Sequence, residues 1–236
     1  MRVVTYNVHK CRGMDGRIRA RRIAEVLDEI SPDIIALQEV IDYQAEMLSD
    51  ALEMPYALGE TRRRLGHAYG NVVLSRFPIR TSKSFDLSVR GRERRGCLRT
   101  DLALDGRLLH VFNVHLGTAL IERRVQGRKL MTPELLNAHE IASPRIVLGD
   151  FNEWTRGLAT RLLRSHLESA GVRSKRRRSG TFPGILPLFP LDHIYYDPAL
   201  HLEELTLHRS RRALMASDHL PLIGDFKWSK KENGSK

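Results

Sequence analysis

The amino-acid sequence predicts an α/β protein in which mixed β-sheets are covered by helices. Short apolar runs alternate along the chain with segments of helical periodicity, which is typical of α/β architectures. A strong turn signal, Asp105-Gly106 between two apolar stretches, predicts an antiparallel hairpin and argues against a purely parallel sheet. The 236 residues, 42% of them apolar, suit one domain, which we expect over residues 1–228, followed by a flexible tail at 229–236.

The first half of the chain alternates between strand and helix. Residues 2–8, rich in valine, and the apolar residues 34–38 are predicted strands. Between them, residues 17–30 place Ile, Val and Leu on one helical face, which predicts an amphipathic helix. Residues 42–53 are also predicted to be helical, and a third strand is expected over residues 69–79, ended by a proline.

The second half begins with the predicted hairpin, whose strands cover residues 98–104 and 107–116 around a type I′ turn. Residues 119–141 are predicted to be largely helical, with a break at Thr132-Pro133. The remaining predicted elements are a strand at 145–150, a helix near 157–168, and strands at 191–197 and 220–226.

The composition bears on partners and on location. A net charge of +11 and a pI near 10.1 favour nucleic acid or an anionic lipid surface as partner, and no protein partner is inferred. The two cysteines form neither a disulfide framework nor a metal-binding pair. No signal peptide is recognised, and no apolar run reaches the ~18 residues that a membrane span needs, so we expect a cytoplasmic protein.

Polar side chains gather at the ends of the predicted strands. The clearest case is "IVLGDFN", in which an apolar strand ends in an acid and an amide two residues apart. Each such residue alone is more often a turn former or a helix cap. Six strands share the feature, however, and strand ends are where folds hold sites rigidly. The residues concerned are Asn7, Gln38, Glu39, Asn113, His115, Asp150, Asn152, Asp192, Asp218 and His219.

The residue types in this set indicate a metal site. Asn7, Glu39, Asp150, Asn152 and Asp218 offer hard oxygen ligands, which Mg²⁺ or Mn²⁺ prefers. Histidine is scarce in the set and no thiolate is offered, which disfavours zinc. A Mg²⁺ ion held by carboxylates with open positions suits the hydrolysis of phosphate esters.

Six motifs resemble the endonuclease/exonuclease/phosphatase superfamily, the metal-dependent phosphodiesterases related to pancreatic deoxyribonuclease. They are "TYNVH", "LQEV", "NVHL", "GDFN", "LDHI" and "SDHLP", in the family's order between residues 5 and 221. The short bacterial members look most similar. The resemblance implies a four-layer α/β sandwich, with two mixed sheets face to face and helices outside. It also implies that Asn7 and Glu39 hold the metal, with Asp218 as a further ligand.

The same resemblance implies roles for the other motif residues. Asp150 would orient or deprotonate the attacking water, and Asn152 would grip the phosphate. His219, oriented by Asp192, would stabilise the transition state or share the proton transfer. His115 would contact the phosphate or help to protonate the leaving oxygen.

Candidate substrate-binding residues are less specific. Arg94 and Arg95 could contact phosphate, although a solvated charge run explains them equally well. Asn71 and Asn113 are the other two candidates, and each lies on a predicted strand.

Two functions remain open at this stage. Basic runs at residues 90–95, 122–129 and 173–178 favour a nuclease that binds a nucleic-acid backbone, with DNA as the preferred partner, without reading its bases. The alternative is a lipid-headgroup phosphodiesterase of the sphingomyelinase or phosphoinositide type, with the basic loops docked on an anionic membrane. In that case "TFPGILPLFP", at 181–190, would be an apolar insertion loop instead of a packed connection. A binding module without activity is disfavoured because the catalytic set is complete.

Overall fold

A computed structural model describes residues 1–136, 144–154, 157–173 and 180–229. Within these residues the strands are β1 (Arg2–Asn7), β2 (Ile34–Ile41), β3 (Tyr56–Arg64), β4 (His67–Ser75), β5 (Ile79–Asp86), β6 (Gly96–Leu104), β7 (Arg107–His115), β8 (Arg145–Asp150), β9 (Glu168–Ser169), β10 (Asp192–Tyr196), β11 (Leu200–Leu207) and β12 (Leu222–Trp228). The helices are α1 (Ala20–Ile30), α2 (Asp42–Leu52), α3 (Leu120–Leu130), α4 (Leu158–Arg164), α5 (Ala170–Arg173) and α6 (Arg211–Ala216).

The strands form two mixed six-stranded sheets. The first sheet has the order β11-β12-β1-β2-β4-β3 and the second has the order β5-β6-β7-β8-β10-β9. Each sheet has one parallel pair, β1 with β2 and β7 with β8, and the remaining pairs are antiparallel. The predicted α/β sandwich of two mixed sheets flanked by helices is confirmed.

Side-chain alternation along the strands builds three apolar layers. On β1, Val3 packs between the two sheets, whereas Val4 and Tyr6 face the layer that contains α1, α2 and α6. On β8, Ile146 and Leu148 likewise face the other sheet. The outer face of the second sheet packs against α3 and α4. Residues two apart on a strand point to the same side, so each sheet buries both of its faces.

A buried polar network joins the two sheets near one end of the sandwich. The side-chain amide of Asn113 on β7 donates to the carbonyl oxygens of Leu37 and Val72 on the first sheet, each at 2.8 Å. Its oxygen accepts from Nε2 of Gln38, also at 2.8 Å. Because unpaired polar groups are costly in a core, these hydrogen bonds fix how the sheets face each other.

The predicted hairpin is confirmed in detail. β6 and β7 pair in register from Gly96 opposite His115 to Leu104 opposite Arg107. Asp105 and Gly106 both have positive φ, at 49° and 75°, as a type I′ turn requires.

Other elements depart from the sequence-based expectation. The structure adds β3, β5, β9 and β11, which the hydrophobic pattern did not predict. Helix α3 ends at Leu130, just before the predicted break at Thr132-Pro133. Residues 137–141 of that predicted helix, residues 174–178 of the last basic run and residues 230–236 of the predicted tail lie outside the described residues. Within the described part of the chain, no helix is long and apolar enough to cross a membrane.

Candidate active site

The polar strand ends from both sheets meet at one end of the sandwich. Asn7 ends β1 in the first sheet, whereas His115 and Asp150 end the parallel strands β7 and β8 in the second. Asp192, the first residue of the antiparallel strand β10, lies opposite Asp150 in the register. The amide Nδ2 of Asn7 donates to Oδ2 of Asp150 at 3.0 Å, and this hydrogen bond joins the two sheets across the site.

The sequence "GDFN" explains how β8 delivers Asp150. Gly149 has a φ of 143°, and a Cβ atom at this position would collide with the carbonyl oxygen of Val114 on β7. Asn152 also has a positive φ, 49°, and its backbone N–H donates to Oδ1 of Asp150 at 2.9 Å. The side-chain amide of Asn152 donates to the carbonyl oxygen of Leu116 at 3.0 Å. This tight turn fixes the orientation of the buried Asp150 carboxylate.

Asp150 lies at the centre of the cluster. Its Oδ2 is 3.6 Å from Nε2 of His115 and 3.8 Å from Nε2 of His219. Burial raises the pKa of the Asp150 carboxyl, and the two imidazoles and Asn7 act against that rise. A buried carboxylate between two imidazoles is well placed to exchange a proton.

His219 and Asp192 form a buried pair. Nδ1 of the imidazole lies 2.8 Å from Oδ2 of Asp192. Burial disfavours the charged ring, but the charge and hydrogen bond of Asp192 outweigh it and raise the pKa of His219 to about 10. Oδ1 of Asp192 is buried without a hydrogen-bond partner among the described residues. His219 is therefore an imidazolium at neutral pH, with its Nε2 directed toward Asp150.

His115 has the opposite character. Burial, together with the nearby charge of Arg95, lowers the pKa of His115 to about 4, although Asp150 and Glu39 act in the other direction. The ring is therefore neutral at pH 7. Two histidines whose environments push their pKa values apart, beside one carboxylate, are typical of an acid–base site.

Glu39 forms a second group next to this cluster. Its carboxylate pairs with the ammonium of Lys10, and both side chains are mostly buried. Burial alone would raise the pKa of Glu39. The His115 ring, which is protonated at the acidic pH where Glu39 titrates, and the Lys10 ammonium outweigh burial and lower this pKa to about 2. Glu39 is thus a permanent anion. The sequence analysis missed Lys10, which directly follows the "TYNVH" motif.

The oxygen ligands available here suit a magnesium ion that has few protein ligands and keeps several of its waters. No three His, Cys, Asp or Glu side chains are grouped as a metal cage in the described part of the chain. Mg²⁺ commonly takes one or two carboxylates and keeps several waters. The Glu39 carboxylate, which here holds the Lys10 ammonium, and the amide oxygen of Asn7 suit such an ion. Asp218, the third predicted ligand, lies 3.5 Å from Nδ1 of His9 and accepts from the Ser217 hydroxyl at 3.3 Å.

The four predicted substrate-binding residues divide into two groups. Arg94, Arg95 and Asn71 line one pocket, whereas the fully buried side chain of Asn113 makes all of its hydrogen bonds between the sheets. Asn71 also donates to backbone carbonyls at the floor of the pocket. The pocket is lined by Glu39, Thr61, Tyr69, Gly70, Asn71, Arg94, Arg95, Gly96 and His115.

The two arginines of the charge run differ in burial, and Arg94 is exposed, as in a solvated run. Arg95 is buried, and its guanidinium is held by Glu93 at 2.9 Å and by the carbonyl oxygen of Leu116 at 3.2 Å. Arg62 lies over the ring of Tyr69, with its guanidinium carbon 4.6 Å from the ring centroid. Neither Arg62 nor Tyr69 was predicted from the sequence as a site residue. Arg62 lies on β3, a strand that was not predicted. The Arg62 guanidinium also pairs with Glu93 at 2.6 Å, so Arg62 and Arg95 share that carboxylate.

Comparison with known proteins identifies the family of this chain. The profile of the Endonuclease/Exonuclease/phosphatase family matches residues 4–219. The uncharacterized protein YbhP of Escherichia coli K12 is 32% identical over an alignment of 245 positions, which covers 95% of each chain.

Solved structures share the fold at low sequence identity. An endonuclease/exonuclease/phosphatase from Beutenbergia cavernae has a TM-score of 0.83 at 22% identity, covering 97% of this chain and 71% of that one. A mannosyl-6-phosphatase from Bacteroides thetaiotaomicron has a TM-score of 0.80 at 19% identity, covering 97% and 100%. D. rerio TDP2 complexed with a single-stranded DNA product has a TM-score of 0.78 at 17% identity, covering 96% and 98%. The chain belongs to the endonuclease/exonuclease/phosphatase family, whose members hydrolyse phosphoester bonds.

Proposed function

We propose that the protein is a Mg²⁺- or Mn²⁺-dependent phosphodiesterase that cleaves nucleic acid, with DNA as the favoured substrate, largely without regard to sequence. The observation that carries this proposal is that Arg94 and Arg95 line one pocket with His115 and Glu39, and that Arg62 lies over the ring of Tyr69 in that lining. A nucleic-acid strand has phosphates on both sides of the scissile bond. Arginines next to the reacting group are suited to hold those flanking phosphates without contacting bases.

The side chains around Asp150 supply the proton transfers. Asp150, held by Asn7 and by the backbone of Asn152, orients the attacking water and accepts its proton. The His219 imidazolium, fixed by Asp192, donates to the phosphoryl oxygens as negative charge develops on them.

The remaining groups bind the substrate and the metal. Glu39 and Asn7 would hold the divalent ion, with Asp218 as the proposed further ligand. When bound, the ion supplies positive charge that polarises the phosphoryl oxygen. The neutral His115 contacts the phosphate, and the Asn152 amide binds a non-bridging oxygen.

A second candidate is a lipid-headgroup phosphodiesterase. Its support is the group of exposed aliphatic side chains at Ile185, Leu186 and Leu188, which border the same site. The similar solved structures do not favour one substrate class. One is described with single-stranded DNA and another as a mannosyl-6-phosphatase. Because both are under 25% identical to this chain, they show only that the fold is shared.

A substrate panel tests the proposal. Purified protein with Mg²⁺ or Mn²⁺ is assayed on plasmid, single-stranded DNA, RNA, sphingomyelin, phosphoinositides and a chromogenic phosphodiester. We expect cleavage of DNA that disappears after exhaustive EDTA treatment and returns with either metal. If the protein cleaves only lipid headgroups, the second candidate function replaces the proposed nuclease. Full activity in EDTA would contradict the metal-dependent mechanism itself.

A further inference from the structure

Four large apolar side chains are exposed together beside the candidate site. The exposed fraction is 60% for Trp154, 58% for Ile185, 60% for Leu186 and 62% for Leu188. We call these four residues the apolar rim. Single exposed apolar residues are ordinary on protein surfaces, but a contiguous group marks an interaction surface.

The apolar rim is connected to the catalytic residues. The backbone N–H of Gly184, one residue before Ile185, donates to the carbonyl oxygen of Asp218 at 2.7 Å. In the same loop, the ring of Phe182 lies 5.0 Å from the ring of His219. The rim therefore borders the mouth of the site.

The loop that carries most of the rim has a defined shape. Phe182 and Phe189 pair through two backbone hydrogen bonds, of 3.1 and 2.8 Å, which close the loop at its base. Leu220 N–H donates to the carbonyl oxygen of Thr181 at 2.9 Å and ties the base to the segment before β12. Trp154 completes the rim by packing against Phe189, with ring centroids 5.0 Å apart. The base of the loop is packed, and its aliphatic tip is presented to solvent.

Positive charge accompanies the rim. The guanidinium of Arg209 donates to the carbonyl oxygen of Ile185 at 3.2 Å, and its side chain is exposed. The nearby Arg211 is also exposed, whereas Arg212 is paired with Glu29 at 2.7 Å. The whole chain carries a net charge of +11. An aliphatic tip flanked by arginines on a basic protein is complementary to a layer that has an apolar interior and anionic groups at its surface.

We propose that the apolar rim docks the protein on an anionic lipid bilayer, with Ile185, Leu186 and Leu188 in the interfacial region and Arg209 among the headgroups. A bilayer accepts aliphatic side chains without shape complementarity, and its anionic headgroups attract arginine. Nucleobases, by contrast, are held by stacking on aromatic planes, which three of the four rim residues lack. This inference concerns where the protein sits, so it goes beyond the phosphodiesterase proposal and does not depend on which bond is cleaved.

Vesicle co-sedimentation in EDTA tests docking without turnover. Wild-type protein is compared on vesicles of phosphatidylglycerol and phosphatidylcholine and on phosphatidylcholine alone, together with the triple variant Ile185→Ser/Leu186→Ser/Leu188→Ser. We expect the wild type to bind the anionic vesicles, and the triple variant to bind about tenfold more weakly. Leu108→Ser is the matched control, because Leu108 is an exposed leucine on the hairpin at the opposite end of β7, and it should bind as the wild type does.

Trp154 provides an independent readout. The sequence has two tryptophans, so Trp228→Phe leaves Trp154 as the only one, and its fluorescence should shift to the blue on anionic vesicles. The proposal would be overturned if the wild type did not bind anionic vesicles, or if the triple variant bound them as well as the wild type does. It would also be overturned if the triple variant kept vesicle binding but lost single-stranded DNA binding, because the rim would then be a nucleic-acid platform. A failed substrate panel would leave these measurements unaffected.

Discussion

Lys10 and Glu39 form an ion pair at the edge of the candidate site, although both residues hold left-handed backbone conformations, with φ values of 59° and 60°. Glu39 lies where the β2–β4 register shifts between Leu37 and Val40. Such conformations are unfavourable for residues other than glycine and tend to occur at functional sites. Here they turn a carboxylate and an ammonium toward each other at the proposed position of the divalent ion.

We expect Lys10→Met to bind Mn²⁺ several-fold more tightly than the wild type. The ammonium competes with a divalent cation for the Glu39 carboxylate and repels it, so its removal favours the metal. Titration calorimetry or the electron paramagnetic resonance signal of free Mn²⁺ measures the affinity without turnover. Lys129→Met is the control, since the Lys129 ammonium donates to the carbonyl oxygen of Ser88 and has no described contact with Glu39. Weaker Mn²⁺ binding by Lys10→Met would instead mean that Lys10 positions Glu39 for the metal.

Asp150→Asn should lower kcat on the preferred phosphodiester by about two orders of magnitude or more, because it removes the base that acts on the attacking water. His219→Ala should cost a comparable factor, since it removes positive charge from the transition state. Steady-state kinetics with saturating metal measures both effects, and circular dichroism establishes that the variants fold. Near wild-type rates in folded variants would mean that the reaction takes place elsewhere.

Asp192→Asn should make activity sensitive to alkaline pH. In the wild type, Asp192 holds the pKa of His219 at about 10, so the imidazolium persists throughout the neutral range. Loss of the anion lowers that pKa, and kcat should then fall as the pH rises through the new value. Profiles of kcat between about pH 6 and about pH 9 should separate the two proteins mainly at the alkaline end. Parallel profiles would contradict the charge-holding role of Asp192.

Replacing Asn113 should affect stability more than substrate binding. Asn113→Ala removes the side chain that binds two carbonyl oxygens and the Gln38 amide in the buried space between the sheets, and the Gln38 amide keeps only its bonds to Thr5 and to the carbonyl oxygen of Ala36. We expect the free energy of unfolding to fall by about 2–4 kcal/mol, as for buried polar groups left unpaired. Urea denaturation measures the loss. Unchanged stability combined with a raised KM would restore Asn113 to the substrate-binding residues.

If nucleic acid is the substrate, binding to duplex DNA should weaken linearly on a log–log plot against salt, with a slope near −0.9 for each phosphate contacted. Neutralising Arg176, Arg177 and Arg178, which lie outside the described residues, should flatten that slope by up to ~3 units and leave kcat nearly unchanged. Fluorescence anisotropy across a range of salt concentrations is the measurement. A slope that the triple substitution does not alter would remove the 173–178 run from the DNA-binding surface.

Hydrophobic patterning predicted the interior strands and missed the edges. The four strands without a prediction, β3, β5, β9 and β11, are the outermost strands of the two sheets. β5, for example, has the sequence "IRTSKSFD" and is mostly exposed. An edge strand is paired on one side only and carries polar residues, so its apolar period is weak. The two-residue β9 is also too short for any pattern to register.

The site was predictable to the extent that it lies in short motifs. Asp150, Asp192 and His219 stand at strand ends whose sequences are specific, and the structure brings them together. Contacts between distant segments carry no such signal. The Asn113 amide bonds residues 76 and 41 positions away, and one amino-acid sequence cannot distinguish that arrangement from a substrate contact.

The position of β12 has a consequence for when the candidate site is completed. This last strand lies in the interior of its sheet, between β11 and β1, and the segment just before it carries Asp218 and His219. A nascent chain on the ribosome therefore lacks both a neighbour for β1 and the imidazole of His219 until residues 219–228 have been synthesised. The first sheet and the Asp218–His219 part of the candidate site are therefore completed in the same step, when β12 joins β1.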